Sequence, residues 1–375
     1  MAAAAANRIA TIDWMRGLVM ILMVIDHASM AFDGGHTAVA KDSALYADAA
    51  TTALPAAEFF TRWITHLCAP TFVFLAGTSL ALSIERRMLR GVNAWEIDKS
   101  MLTRGAIIAL LDPTIVSLGS GRLTFQVLLA IGLSMICMAG LRRLPTWALL
   151  ACAVGWIVLG EIPTGWFWHP PGNSSVTAAF IEATYGSDAM TVKYPVIPWL
   201  SMMVLGWVFG RHLVRVGAGT TRISGKRVLL MAGVASLIVF AIVRGIGGYG
   251  DMFLPRADDS WQQWLHVSKY PPSLTYTTLE LGLLFLCLVG LRTLEPRIGV
   301  RENGVFLVFG QTAMFFYLAH RLVIEVPATY FGLRGVGGIG TTYAVAAVLL
   351  VALYPACRWY RTVKSAHPDS FLKYI

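Results

Sequence analysis

Charged residues are scarce in this 375-residue chain: 14% of its positions are Asp, Glu, Lys or Arg, and 56% are hydrophobic. A soluble domain carries about 25% charged residues. The shortage therefore excludes an ordinary soluble domain and predicts an integral membrane protein. Only five cysteines occur, without CxxC spacing, so we expect neither a disulfide framework nor a cysteine metal site. No P-loop motif is present, which argues against that type of soluble nucleotide-binding fold.

Ten apolar runs are long enough, or nearly long enough, to cross a bilayer. They lie at about 10–32, 57–84, 104–119, 122–140, 145–161, 195–217, 227–244, 272–292, 303–325 and 339–360. No cleavage site precedes Arg16, so we expect the first run to be retained. We also expect Asp112-Pro113 to break the third run. The pattern predicts an all-α, polytopic membrane bundle of about ten transmembrane helices.

The basic residues are distributed unevenly between the two sides of this predicted bundle. With the N-terminus inside, 20 of the 30 lysines and arginines fall in inner segments, 7 in outer segments and 3 within spans. The positive-inside rule therefore favours an N-in, C-in orientation. The net charge of +9 is explained by topology, and we expect no nucleic-acid partner. Three long loops, at about 33–56, 161–194 and 245–271, then lie outside.

Arg16 and His27 stand out in the first run, because only apolar residues fill positions 18–25 between them. Eleven helical positions bring the two side chains to within about 20° of the same direction, roughly 16 Å apart along the axis. Ionisable residues at membrane depth mark functional sites by default. A structural ion pair between Arg16 and Asp13, one turn earlier, is the competing explanation.

Further polar groups fall within the other apolar runs. His66 and Arg62 lie near the outer end of the second run, and His320 and Arg321 near the outer end of the ninth. Together with His27, these histidines are expected to converge at one outer level, since polar residues usually face the bundle interior. Each histidine could instead make only a structural hydrogen bond. We expect no metal site, because no HxxxH or HxxE spacing occurs.

A histidine where an outer cavity meets the bundle core suits general-base chemistry on a hydroxyl or an amine. An arginine deeper on the same face suits a phosphorylated donor of the pantetheine type entering from inside. The acidic and aromatic outer loops fit a polar ring such as a sugar, although an interfacial aromatic belt has the same composition.

These residues resemble those of a known family. Arg16 and His27, with ten residues between them, are similar to the first-helix signature of acyltransferase-3 enzymes. The wider resemblance is to heparan-alpha-glucosaminide N-acetyltransferase-like bacterial membrane proteins of the transmembrane acyltransferase superfamily. The similar stretches are IDWMRG at 12–17, PTFVFLAGTS at 70–79, PVIPW at 195–199, KYPPSL at 269–274 and FGQTAMFFYLAH at 309–320.

The resemblance implies a single domain over residues 1–375 that moves an acyl group, usually acetyl, from cytosolic acetyl-CoA to a saccharide across the bacterial inner membrane. Acetyl-CoA is then the acyl donor, no metal is expected, and a homodimer is among the oligomeric states left open. Arg16 and His27 carry over from the resemblance as its signature pair, and with the other polar residues of the apolar runs the candidates form three sets. They are catalytic His27, Arg16 and Asp26; substrate-binding His66, His320, Arg62, Arg321 and Tyr317; and structural or donor-path Asp13, Asp112 and Gln311.

One departure from the family concerns the histidine. Lysosomal members place it in the first lumenal loop, but residues 55–58 here contain none. His27 would serve as base or acyl acceptor instead, with His36 and His66 as alternatives. A transporter or flippase of a polar or lipid-linked sugar, with Arg16, Asp26 and His27 as a relay, is the main competing function. A structural subunit is another.

Overall fold

The fold is built almost entirely from α-helices. The computed structural model of the chain describes residues 9–34, 55–170 and 172–374. The helices are α1 (Ala10–Phe32), α2 (Ala56–Trp63), α3 (Cys68–Leu89), α4 (Ala94–Leu111), α5 (Ser117–Ser120), α6 (Val127–Leu141), α7 (Thr146–Leu159), α8 (Glu161–Phe167), α9 (Val176–Ile181), α10 (Val196–Gly217), α11 (Gly225–Ile246), α12 (Trp261–Leu265), α13 (Leu274–Ile298), α14 (Val305–Gln311), α15 (Ala313–Tyr330) and α16 (Ile339–Ala366). Short 3₁₀ turns at Ile64–Leu67 and Phe371–Tyr374 complete the helical segments.

Seven helical segments in the described part of the chain are long and apolar enough to cross a membrane. Two bent pairs, α7 with α8 (58°) and α14 with α15 (91°), raise the number to nine if each pair is one span. The remaining predicted run corresponds to α6, which has only 15 residues. The all-α polytopic bundle is therefore confirmed, whereas the count of ten and the N-in, C-in orientation stay predictions.

Helix α1 occupies the centre of the bundle. It packs against α3, α13, α14, α15 and α16. Of an 18-residue apolar stretch of α1, 56% is buried inside the protein, compared with 17% of the corresponding stretch of α11. Helix α11 therefore presents most of its surface to lipid, whereas α1 does not. The arginine and histidine of α1 are consequently placed where several helices can contribute partners.

Glycines allow α14 to lie directly against the start of α1. A Cβ atom added to Gly310 would collide with the carbonyl group of Asp13, and one added to Gly17 would collide with the carbonyl group of Phe306. Small residues of this kind let helix backbones approach closely in a membrane. The contact fixes the bend between α14 and α15 beside the first turns of α1.

The third predicted run is not broken at Pro113. Residues Asp112–Val116 form a turn of π-helix, and the helical segment continues from α4 through α5 as one span, Ala94–Ser120. The wider turn leaves room for the proline ring, so the expected break is wrong. The distortion instead frees the carboxylate of Asp112, whose Oδ2 accepts hydrogen bonds from the backbone N–H groups of Gln126 (2.7 Å) and Leu129 (2.8 Å) at the start of α6.

The predicted loop at 161–194 is largely folded. It contains α8 and α9, and strands β2 (Tyr185–Gly186) and β3 (Met190–Val192) join β1 (Leu123–Phe125) in one small sheet. The strand order is β1-β3-β2, with β1 parallel and β2 antiparallel to β3. The sheet therefore ties this loop to the segment before α6.

A buried ion pair anchors the loop that follows α11. Arg244 Nη1 lies 2.7 Å from Asp251 Oδ1, and neither side chain is exposed. The remaining guanidinium hydrogens reach loop carbonyls, including those of Gln263 and His266 at 2.6 Å each. A buried charge is tolerated when its hydrogen bonds are satisfied in this way.

Two glycine-rich stretches, 245–250 and 335–340, have the GxGxxG spacing of a dinucleotide-binding loop. Such a loop needs a strand before it and a helix after it. Among the described residues the first stretch follows α11 and the second follows α15, so neither has that context.

Candidate active site

A pair of histidines forms the centre of the candidate site. His27 of α1 and His320 of α15 are both buried, and His27 Nδ1 lies 2.7 Å from His320 Nε2. The ring planes are inclined by only 11° and their centroids are 4.9 Å apart, so the two rings lie nearly in one plane, joined edge to edge by this hydrogen bond. His320 Nδ1 lies 2.8 Å from the carbonyl oxygen of Phe316, one turn earlier. The two histidines thus form a hydrogen-bonded chain that ends on a backbone carbonyl.

Tyr317 joins this pair to an internal cavity. Its ring meets that of His320 edge-on at 5.6 Å and that of His27 edge-on at 6.2 Å. The side chain lies in the cavity wall and is buried, and its hydroxyl makes no hydrogen bond within the described part of the protein. A buried hydroxyl without a partner is unfavourable, so a molecule bound beside it could supply a hydrogen bond that the resting protein lacks.

Arg16 lies in the wall of the same cavity, held by three groups. One terminal nitrogen donates to Ser79 Oγ (2.6 Å) and to the carbonyl oxygen of Leu75 (3.0 Å). The other lies 3.5 Å from Asp13 Oδ1. The predicted pairing with Asp13 is therefore present, but Arg16 also bridges α1 to α3 and stays partly exposed to the cavity.

The cavity has a volume of about 290 Å³ and is bounded by α1, α3, α4, α6, α14 and α15, with one side chain from α16. Tyr317 marks one end. The basic side chains of Arg87, Arg104 and Lys364 mark the other, and Ser83 and Ser100 lie between apolar groups along the wall. The arrangement suits an elongated molecule that is anionic at one end.

Asp26 precedes His27 in α1, and His66 lies on the 3₁₀ turn Ile64–Leu67, which contacts α1. The Thr65 hydroxyl lies 2.8 Å from Asp26 Oδ1 and 2.7 Å from the carbonyl oxygen of Arg62, and its one proton is shared between these two acceptors. His66 is buried, its carbonyl accepts a hydrogen bond from the Tyr276 hydroxyl (3.1 Å), and its ring lies edge-on to that tyrosine at 6.1 Å. His27 meets His320 directly, whereas His66 packs with Tyr276.

Arg321 and its neighbours form an ionic cluster next to the histidine pair. Arg321 Nη1 lies 3.2 Å from Glu325 Oε1, and Glu325 also pairs with Arg334. Both Arg321 and Glu325 are buried. Asp112 lies within electrostatic reach of Arg321. Because these charges compensate one another, Arg321 has a structural role in the cluster, independent of any role in the reaction.

Gln311 occupies the cavity wall beside the bend between α14 and α15. Its Oε1 accepts a hydrogen bond from Arg361 Nη1 of α16 at 3.2 Å, so it also connects two helices. The remaining candidate, His36, lies outside the described residues. Within those residues, no group of three or more His, Cys, Asp or Glu side chains is close enough to hold a metal ion.

Most residues of the cavity wall are not predicted from the sequence. Arg87, Arg104 and Lys364 were counted only as topology signals, and Ser79 as part of a family stretch. One signal for the part of the wall on α3 is spacing: Ser79, Ser83 and Arg87 recur every four residues on one face of this helix. This signal was present but was masked by the apolar residues around it.

Apolar helices around a buried histidine pair, with an arginine-lined cavity beside it, define a polytopic membrane protein with an internal binding site. The family model described as "Heparan-alpha-glucosaminide N-acetyltransferase, catalytic" matches residues 8–244, more than half of the chain. The chain belongs to this family and is therefore a membrane acyltransferase. No curated protein matches the chain. The matched range contains Arg16, Asp26 and His27, whereas Tyr317 and His320 lie beyond it.

Proposed function

We propose that this protein transfers an acetyl group from acetyl-CoA, bound in the cavity, to a hydroxyl or amine of a saccharide on the opposite, extracytoplasmic side. The observation that carries the proposal is the cavity itself, which runs from three basic side chains past Arg16 to Tyr317, whose ring touches His27. A path of this form would let a cytosolic donor meet an acceptor at the far side without either crossing the membrane.

The cavity residues fit this donor. Arg87, Arg104 and Lys364 supply positive charge for nucleotide phosphates, and guanidinium groups bind phosphate through paired hydrogen bonds. Apolar lining residues such as Phe72 and Met101, with serines among them, suit a pantetheine-like arm. Arg16 would hold the arm or orient its carbonyl groups, since it is already fixed by Ser79 and Asp13.

The residues around His27 fit the transfer step. His27 would accept the proton of the attacking hydroxyl or amine, which is general-base catalysis. Tyr317 would donate its unpartnered hydroxyl to the acyl carbonyl oxygen, where negative charge develops. Asp26, Arg62, His66 and Arg321 remain proposed groups for positioning the acceptor. The competing role of His27 as a transient acyl acceptor uses the same geometry.

Several broader features belong to the same proposal. The domain is taken as one unit over residues 1–375 in a bacterial inner membrane, with N-in, C-in orientation. The acceptor is taken as a saccharide because the family description names a glucosaminide. Whether transfer is to nitrogen or oxygen is decided by the acceptor.

The test is acetyl transfer by the purified protein in detergent, with acetyl-CoA and either glucosamine or its methyl glycoside. Acceptor-dependent release of CoA is expected, and His27→Ala is expected to lower kcat by at least about 100-fold. His212→Ala on α10 is the matched control and should keep wild-type activity. Wild-type protein that releases no CoA, but moves sugar across vesicles, would instead establish a transporter.

A further inference from the structure

We propose that His320 is a positioning residue that fixes the tautomer of His27, so that His27 Nε2 is the nitrogen that accepts the proton during transfer. This inference rests on the proposed function and assigns a role to a side chain that the family match does not cover. It follows from the hydrogen-bond chain alone.

The chain begins at the backbone. The Phe316 carbonyl oxygen can only accept, so the hydrogen bond with His320 Nδ1 requires a proton on that nitrogen. Neither ring nitrogen of His320 contacts a carboxylate, and the side chain is fully buried. A buried imidazolium without such a partner is costly, so His320 is neutral. Its Nε2 then carries a lone pair and accepts.

The next hydrogen bond is therefore donated by His27. With His320 Nε2 as acceptor at 2.7 Å, the proton between the rings belongs to His27 Nδ1. A neutral imidazole carries one N–H, so His27 Nε2 holds the lone pair. The near-coplanar arrangement of the two rings, inclined by 11°, aligns this hydrogen bond and restrains the rotation of His27. His320 thus sets both the tautomer and the orientation of the base.

In the part of the chain that the structure describes, charged groups lie near the pair on the helices that carry it and on their neighbours. Arg321 lies next to His320 on α15, and Asp26 of α1 also acts on it electrostatically. Glu325 and Asp112 act on Arg321 and thereby balance its charge. In the resting state, the pair is expected to be uncharged between these compensating ions.

His27 Nε2 takes the proton of the acceptor as the acceptor oxygen or nitrogen bonds to the acyl carbon. The carbon–sulfur bond then breaks, and His27 returns the proton to the departing sulfur, which leaves as a thiol. In between, the imidazolium of His27 still donates through Nδ1 to His320 Nε2, which stabilises the positive charge. A wrong tautomer in an analogous triad lowers kcat by about 10⁴-fold.

The test compares His320→Ala, His320→Gln and His320→Glu with the matched control His212→Gln, using the acetyl-transfer assay. His320→Ala is expected to lower kcat by about 100-fold or more, with the KM for acetyl-CoA changed less than about threefold. His320→Gln should restore part of the rate, since its amide oxygen can accept from His27 Nδ1. In His320→Glu the carboxylate favours protonated His27, so the acidic limb of the pH–rate profile should move to higher pH by about one unit.

Two outcomes would overturn the proposal. A folded His320→Ala variant with wild-type kcat would exclude the positioning role. A raised KM together with an unshifted pH–rate profile in His320→Glu would also exclude it, because that result indicates that His320 binds substrate directly. A second measurement is independent of activity: ¹⁵N spectra of histidine-labelled wild-type protein, assigned with His27→Gln, should show His27 protonated at Nδ1. Protonation at Nε2 would contradict the inference. A wild-type protein without transfer activity overturns the proposed function and, with it, this role.

Discussion

Replacing Tyr317 by phenylalanine removes a single oxygen atom from the cavity wall, and the structure predicts opposite effects on stability and on activity. The hydroxyl is buried and makes no hydrogen bond within the described residues, so its removal breaks no interaction in the resting protein. An unsatisfied buried polar group costs about 1–3 kcal/mol. We therefore expect Tyr317→Phe to leave the free energy of unfolding unchanged or to raise it by about 1 kcal/mol.

Activity is expected to fall in the same variant. If the hydroxyl donates to the acyl oxygen as charge develops, its loss removes a transition-state interaction, and loss of one such donor lowers kcat by about 10²-fold or more. The KM for acetyl-CoA should change little, because the interaction is strongest in the transition state. The assay is acetyl transfer over a range of donor concentrations, paired with thermal unfolding in detergent.

Tyr354→Phe is the matched control. Its hydroxyl donates to the carbonyl oxygen of Asn303 at 2.6 Å, away from the cavity, so its loss should lower stability by about 1 kcal/mol and leave kcat unchanged. If Tyr317→Phe destabilises the protein as Tyr354→Phe does while keeping full kcat, the Tyr317 hydroxyl is structural and the reasoning is refuted.

Three further predictions concern other parts of the molecule. Arg16→Gln should raise the KM for acetyl-CoA by about 10- to 150-fold, since a charged hydrogen bond contributes about 1.5–3 kcal/mol. Arg16→Lys should not restore the wild-type KM, because lysine cannot reproduce the contacts to Ser79 and Leu75. An unchanged KM in both variants would exclude a role of Arg16 in donor binding. Asp251→Ala should lower the free energy of unfolding by about 3–5 kcal/mol, because it leaves the charge of Arg244 buried and uncompensated. Asp259→Ala breaks the exposed ion pair with Arg256 and should change the free energy of unfolding by less than about 1 kcal/mol. Equal effects of the two variants in thermal unfolding would contradict the argument. Burial raises the pKa of the Glu182 carboxyl, so its ionisation opposes folding. The unfolding temperature should therefore fall as the pH rises from the ordinary glutamate pKa of about 4.3 towards the raised value. Glu182→Gln should remove this pH dependence of the unfolding temperature.

The helices themselves could be predicted from the sequence because each apolar run is long enough to bury its own backbone hydrogen bonds in lipid. The ion pair of Arg16 with Asp13 was predictable for a similar reason, since three positions along a helix bring side chains together. Both features depend on local spacing alone.

The histidine pair could not be predicted in detail, because His27 and His320 are 293 positions apart. Their contact depends on the 91° bend between α14 and α15 and on the close approach of Gly310 to α1. Neither follows from composition or periodicity. The sequence did indicate that polar groups on these two helices would face the bundle interior.

The error at Pro113 has a specific physical cause. Proline normally ends or kinks a helix, but a π-turn removes the clash and keeps the segment continuous. The carboxylate of Asp112 then serves the start of the next helix. A proline rule based on α-helical geometry alone does not include this outcome.

The central claim is that the acyl group passes from a cytosolic donor to an acceptor on the far side through the site at His27. The most direct measurement uses sealed vesicles with the protein in known orientation, radiolabelled acetyl-CoA on the inner side and glucosamine on the outer side. The account predicts labelled acetylglucosamine outside with wild-type protein and with His212→Ala, and none with His27→Ala. Labelled product that forms only when donor and acceptor share one side, or at the same rate in His27→Ala, would contradict it.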